Sequence, residues 1–131
     1  MKISNFILLV NIYGFFLAGS MLLLPSNTVE YFGGNPENLQ ETGLMQYLGV
    51  AHLAFNTFGF LIRKTLEKNT LKAFLTGVMI ATFGGLAVSF YNVFAKNLPI
   101  HSSAIIDWSI WAILGIGSIY FFLNLSKKTA K

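Results

Sequence analysis

The sequence predicts an all-α fold: a four-transmembrane-helix bundle, N-in/C-in, with a short interfacial cap between helices 1 and 2. Three observations predict it. Of 131 residues, 54% are hydrophobic and 11% charged, whereas an average soluble domain carries about 25% charge. Four segments are long and apolar enough to cross a hydrocarbon core about 30 Å thick, which needs about 20 residues of helix. The Lys and Arg residues also divide unevenly between the connections. With no Cys, the composition excludes a disulfide scaffold, a Cys-based metal site and thiol chemistry, and its hydrophobicity excludes disorder.

The predicted spans are 3–24, 44–62, 73–95 and 104–125, and the chain, 1–131, reads as one domain. No Asp, Glu, Lys or Arg lies inside the first three, and the fourth holds only Asp107 near its start. Pro25, Pro36 and Pro99 fall between spans, where a helix ends anyway. Lys2 followed by an apolar run and Ala18-Gly19-Ser20 imitates a signal peptide, but the run continues to Leu24, well past the 7–15 residues of a signal core. Span one is therefore expected to be retained.

With the N-terminus inside, the inner side holds Lys2, Arg63, Lys64, Lys68, Lys72, Lys127, Lys128 and Lys131, and the outer side only Lys96. By the positive-inside rule this sets both termini in the cytoplasm, with the chain in the cell inner membrane. Glu30, Glu37 and Glu41 lie in the first external connection. The net charge of +4 then reflects topology and contact with anionic lipid head groups. It implies no nucleic-acid partner, since no basic stripe with interleaved aromatics lies on a soluble face. The connection from Pro25 to Gly43 reads as the cap. Asn27 precedes Glu30 at capping-box spacing, Gly33-Gly34 ends the turn, and Asn35-Pro36 starts another. Tyr31, Tyr47, Tyr91, Trp108 and Trp111 fall near the outer boundary, as an aromatic belt does.

At 100° per residue, Gln46, Gly49, His52, Asn56, Gly59 and Arg63 share one side of span two, the side expected to face the bundle. Gly77, Ala81, Gly85 and Ser89 recur every fourth residue in span three, a small-residue ladder expected to pack helices together. Asn11, Gly14 and Ala18 repeat the idea in span one. By depth, Gln46, Asn92 and Asp107 form an outer polar layer, and Asn11, Asn56 and Ser118 a middle one with His52 slightly above. These layers read either as a hydrogen-bonded core or as the lining of a cavity. His52 is the one ionisable residue near the membrane midplane, a position that favours function. It reads either as an imidazole bonded to Asn56 one turn on, or as a ligand or proton site. Asp107 reads either as a cap at the start of span four or as a ligand contact.

Catalytic chemistry finds little material. The Glu residues of the external connection are exposed, His52 and His101 lie far apart in depth, and no strand precedes a Gly-rich loop. Ser89 or Ser118 beside His52 lacks a third member. The expectation is a non-enzymatic protein with no cofactor and no metal.

Span one ending in Pro25, then Tyr31-Phe32-Gly33, then Gln46-Tyr47-Leu48-Gly49 opening span two, resembles small bacterial DoxX-like membrane proteins over most of the chain. The resemblance implies a four-helix bundle, for most relatives without assigned activity. Gln46 stands where such proteins often carry an Arg, so no role of that Arg carries over. The related EXPERA-type sterol isomerases and binders imply a hydrophobic-ligand cavity, but their acidic catalytic pair has no positional match. Small multidrug exporters resemble the chain in size, yet need a Glu in span one. Fluoride channels are echoed by Asn56-Thr57-Phe58-Gly59 and Phe83-Gly84-Gly85-Leu86, but Ala87-Val88 replace their Thr/Ser-rich continuation.

The leading expectation is a protein that holds a lipid-like, hydrophobic ligand or a partner helix in its bundle. His52, Asn56, Gln46, Asn92 and Asp107 would be its polar contacts. The alternatives are a small transporter or channel using His52, and an accessory subunit whose ladder docks another membrane protein or a second copy.

Overall fold

A computed structural model describes residues 1–97, 100 and 104–127. Pro99, His101, Lys128 and Lys131 lie outside the described residues. The fold is all-helical, with no strand among the described residues. Five α-helices follow in order: α1 (Ile3–Leu23), α2 (Pro25–Tyr31), α3 (Leu39–Ile62), α4 (Lys68–Phe90) and α5 (Ala104–Lys127). A π-helical turn, Tyr91–Ala95, continues α4. Three helices, Ile3–Leu23, Lys68–Ala95 and Ala104–Lys127, are long and apolar enough to cross a membrane, which marks the chain as a membrane protein. At 24 residues, α3 matches them in length. It carries Gln40, Glu41, Gln46, His52 and Asn56, however, and is not one of the three.

The chain divides into two compact units, Met1–Arg63 and Lys64–Lys131. In the first, α1 and α3 run antiparallel. Asn56 of α3 sits over Gly14 of α1, and Gly49 lies under Met21 and Leu22. The buried side of α1 is Ile7, Asn11, Gly14, Ala18 and Met21, and the buried residues of α3 are Gly49, Asn56 and Gly59. Both series step by alternating fours and threes or their sum. A spacing averaging 3.5 residues keeps one seam facing a neighbouring helix along its whole length.

The first connection is built by local hydrogen bonds rather than by composition. α2 begins at Pro25, two residues before the expected Asn27, because Pro suits the first helical position, where its missing N–H is no loss. No side chain caps it. Instead the Thr28 hydroxyl donates toward the Ser20 carbonyl at 3.0 Å and the Leu24 carbonyl at 2.9 Å, tying α2 to the end of α1. α2 stops as expected at Gly33, whose φ of 80° suits glycine. Gly34 N–H donates to Val29 O and Gly33 N–H to Glu30 O, the paired bonds of a Schellman ending.

α3 starts at Leu39, five residues before the apolar segment that predicted it. The cause is Asn38, whose Oδ1 accepts from the Gln40 and Glu41 N–H groups. Glu41 answers with Oε1 accepting from Asn38 Nδ2, and Oε2 from Asn35 N–H, each at 2.9 Å. This reciprocal cap supplies the orphan donors of a helix start, so the helix extends into polar sequence. At the other end, Arg63 Nη1 donates to the Phe60 carbonyl while its guanidinium lies 3.5 Å from the Phe60 ring centroid.

The second unit is an antiparallel hairpin of α4 and α5. Lys72 lies over the Phe122 ring, Gly115 faces Thr82 and Phe83, Gly85 faces Trp111, and Trp108 Nε1 donates to Ser89 Oγ at 2.7 Å. The core residues of α4 are Leu71, Phe74, Leu75, Val78 and Thr82. Continued through Gly85 and Ser89, this seam again alternates fours and threes. The expected Gly77–Ala81–Gly85–Ser89 ladder meets it only at its last two members, since steps of four rotate by about 40° each. Ala81 is exposed and Gly77 half-buried.

Glu67 caps α4. Its Oε1 accepts from Asn69 N–H at 2.8 Å and its Oε2 from Thr70 N–H. The Thr70 side chain, then these backbone donors, hold the carboxyl below its ordinary 4.5.

Two predictions follow from these contacts. A Cβ on Gly85 would lie 2.8 Å from the Trp111 ring, whereas one on Gly84 meets nothing within 4 Å. Gly85→Ala is expected to destabilise the protein by about 1–3 kcal/mol through overpacking, and Gly84→Ala to leave thermal unfolding in detergent unchanged or raised. Because the folded pKa of Glu67 is depressed, its cap stabilises fully above the ordinary value and is lost as pH falls through the lowered one. Glu67→Ala should unfold more readily than the parent at neutral pH, and the two melting curves should converge in acid.

Candidate functional site

Five polar residues are buried: Asn11, Thr28, Asn56, Thr82 and Ser118. Four of them have a printed route to satisfaction close by in the chain. Thr82 Oγ1 donates to Val78 O at 2.8 Å, Ser118 Oγ to Leu114 O at 2.8 Å, and Asn56 Nδ2 to His52 O at 2.7 Å, each on its own helix. Thr28 reaches back to α1 and the α1–α2 junction. Asn11 is different. It is fully buried, and neither its Nδ2 nor its Oδ1 has a hydrogen-bond partner. An amide left in that state costs about 1–3 kcal/mol, so the position is a strained one within an otherwise apolar hairpin.

Asn11 and Asn56 belong to the same seam. Asn11 lies one turn from Gly14 on the buried side of α1, and Gly14 is the residue over which the Asn56 carboxamide sits. No side chain could replace the glycine's hydrogen without displacing that amide. His52, one turn from Asn56 and half-buried, offers its backbone carbonyl to Asn56. The site is thus a polar notch formed by Asn11, Gly14, His52 and Asn56. It carries a donor, acceptors and an imidazole without a formal carboxylate or ammonium.

The other expected contacts are distributed differently. Gln46 is on α3 but exposed. Asn92 lies in the π-helical turn and Asp107 in the first turn of α5, both half-buried in the second unit near the turn end of its hairpin. An acid in a first helical turn is favoured by the helix dipole. Ser118, expected in the middle layer, also belongs to the second unit and is satisfied within α5. The first unit therefore unites His52 and Asn56 with Asn11, which was expected at that depth but not as a ligand contact. Its signal in the sequence was the Asn11, Gly14 and Ala18 stripe.

The aromatic end of the second unit is organised around Trp108. Its indole donates to Ser89, and the Phe90 ring packs edge-on at 4.8 Å. Phe90 also meets Phe94 at 6.1 Å. These contacts hold the α4–α5 turn and offer no titratable pair. Among the described residues no group of three or more His, Asp or Glu is placed to hold a metal ion. No protein-family model matches the chain, and neither the curated proteins nor the solved structures compared with it contain a match.

Proposed function

We propose that the protein is a non-enzymatic, multi-pass inner-membrane protein of four spans, with α3 as the fourth span and both termini cytoplasmic, that holds a lipid-like ligand on its α1/α3 hairpin. The observation that carries the reading is the convergence of Asn11, His52 and Asn56 on one seam between long, apolar helical faces. An amphipathic ligand needs that combination: apolar surface for its chain and a few fixed polar groups for its head. The charge-free stretch 44–62 supports a fourth span, and the inner-side excess of Lys and Arg supports the orientation. The resemblance to DoxX-like proteins agrees with a four-helix membrane bundle.

Native mass spectrometry of gently extracted protein tests the ligand. A retained small molecule is expected, with occupancy reduced at least several-fold in His52→Leu and Asn56→Leu; protein that is empty in every preparation would remove the reading. Orientation is tested separately, since the chain has no Cys and single cysteines report cleanly. Leu66→Cys should label only from the cytoplasmic side of intact cells or inverted vesicles, and Glu37→Cys only from the opposite side. Labelling of both from one side would exclude the topology.

A further inference from the structure

Asn11 points to a more specific ligand chemistry than the rest of the hairpin does, and the inference rests on the reading of a lipid-like ligand. The hydroxyls of Thr82 and Ser118 turn back onto their own helices, but the Asn11 amide keeps both Nδ2 and Oδ1 unpartnered at 0% exposure. A carboxamide presents a donor and an acceptor side by side. What satisfies it is a group that accepts from Nδ2 and donates to Oδ1. No Asp, Glu, Lys or Arg lies between residues 3 and 24 or between 44 and 62, so a charged head brought to this level would be buried without a counter-charge, at high cost.

We propose that Asn11, with Asn56 beside it at Gly14, forms a carboxamide site in the α1/α3 seam for the uncharged hydroxyl or amide head of a single-chain lipid-like molecule. The Asn56 amide is the group that gives way. It fills the notch left by the missing Cβ of Gly14 and is tethered by a hydrogen bond to the His52 carbonyl. The ligand's chain lies along α1, where Ile12 and Phe16 are 62% and 70% exposed. Because two neutral amides discriminate by hydrogen bonding rather than charge, the site prefers a head that both donates and accepts over an alkane or a phosphate.

The test uses the full chain in nanodiscs with Asn side chains labelled with ¹⁵N. The probes are 1-dodecanol, dodecanamide, dodecane and dodecyl phosphate. The Asn11 side-chain amide pair, assigned from its loss in Asn11→Leu, should shift on adding the alcohol or the amide and stay in place with the alkane or the phosphate. A shift with only one of the two active probes identifies which head the site takes. Asn11→Leu should weaken the binding of that probe at least tenfold and, with the orphan amide gone, raise the melting temperature of the unliganded protein. Should Asn11→Leu fail to fold, Asn11→Gln supplies the assignment, and titration of the unmodified chain decides. An amide pair unmoved by every probe, or moved equally by the alkane, overturns the site. The broader reading is judged independently: a molecule retained in native mass spectrometry while Asn11 stays silent leaves the lipid-binding function standing and removes only this site.

Discussion

Helices surrounded by lipid gain little by hiding apolar surface from one another, because the tails outside are as apolar as the side chains between them. What holds such a pair is contact, and contact needs places where two backbones can come close. In this chain those places are glycines. Gly14 receives the Asn56 amide, Gly49 receives Met21 and Leu22, Gly85 receives the Trp111 ring, and Gly115 receives Phe83 and Thr82. Each hairpin is keyed from both sides, with a glycine on one helix and a larger group on the other. The positions of Asn11, Asn56 and Trp108 follow from that keying.

A second constraint acts on the polar side chains. Most hydroxyls along the helices are bonded to the carbonyl four residues back: Ser20 to Phe16, Thr76 to Lys72, Thr82 to Val78, Ser109 to Ile105, Ser118 to Leu114 and Ser126 to Phe122. A hydroxyl that does this is hidden from the apolar surroundings and does not bind a neighbouring helix. The side chains left to make specific contacts are the longer ones, the carboxamides and the indole. The Trp108–Ser89 bond uses one such group to close a hairpin. Asn11 is held in the other hairpin with nothing to close.

Much of the fold was legible from residues alone. The expected spans 3–24, 73–95 and 104–125 agree with helices at Ile3–Leu23, Lys68–Ala95 and Ala104–Lys127 to within about five residues, because apolar length and flanking Lys, Asn and Pro mark the edges. Two features were less legible. The start of α3 depended on how Asn38 and Glu41 bond each other, which moved it five residues into polar sequence. The packing side of α4 followed a period of 3.5 rather than 4, so it coincided with the small-residue ladder at Gly85 and Ser89 but not at Ala81. The depth of Asn11 could be read from its place in span one. Its lack of a partner could not, since that depends on the rotamer and on what the facing helix brings to the same height.

The π-helical turn at Tyr91–Ala95 has a consequence for how this chain can change over evolutionary time. A π-turn amounts to one residue inserted into an α-helix, widening a single turn without breaking its hydrogen-bonded run. Deleting any one residue there would restore an ordinary helix and swing everything beyond it by about 100°. The side presented by Phe90, which packs on Trp108, would stay in place, while Lys96 and the left-handed Asn97 (φ 55°) would be carried to another azimuth. In this stretch the number of residues is therefore more constrained than their identities, and related chains should accept substitutions between 91 and 95 far more readily than a change in length.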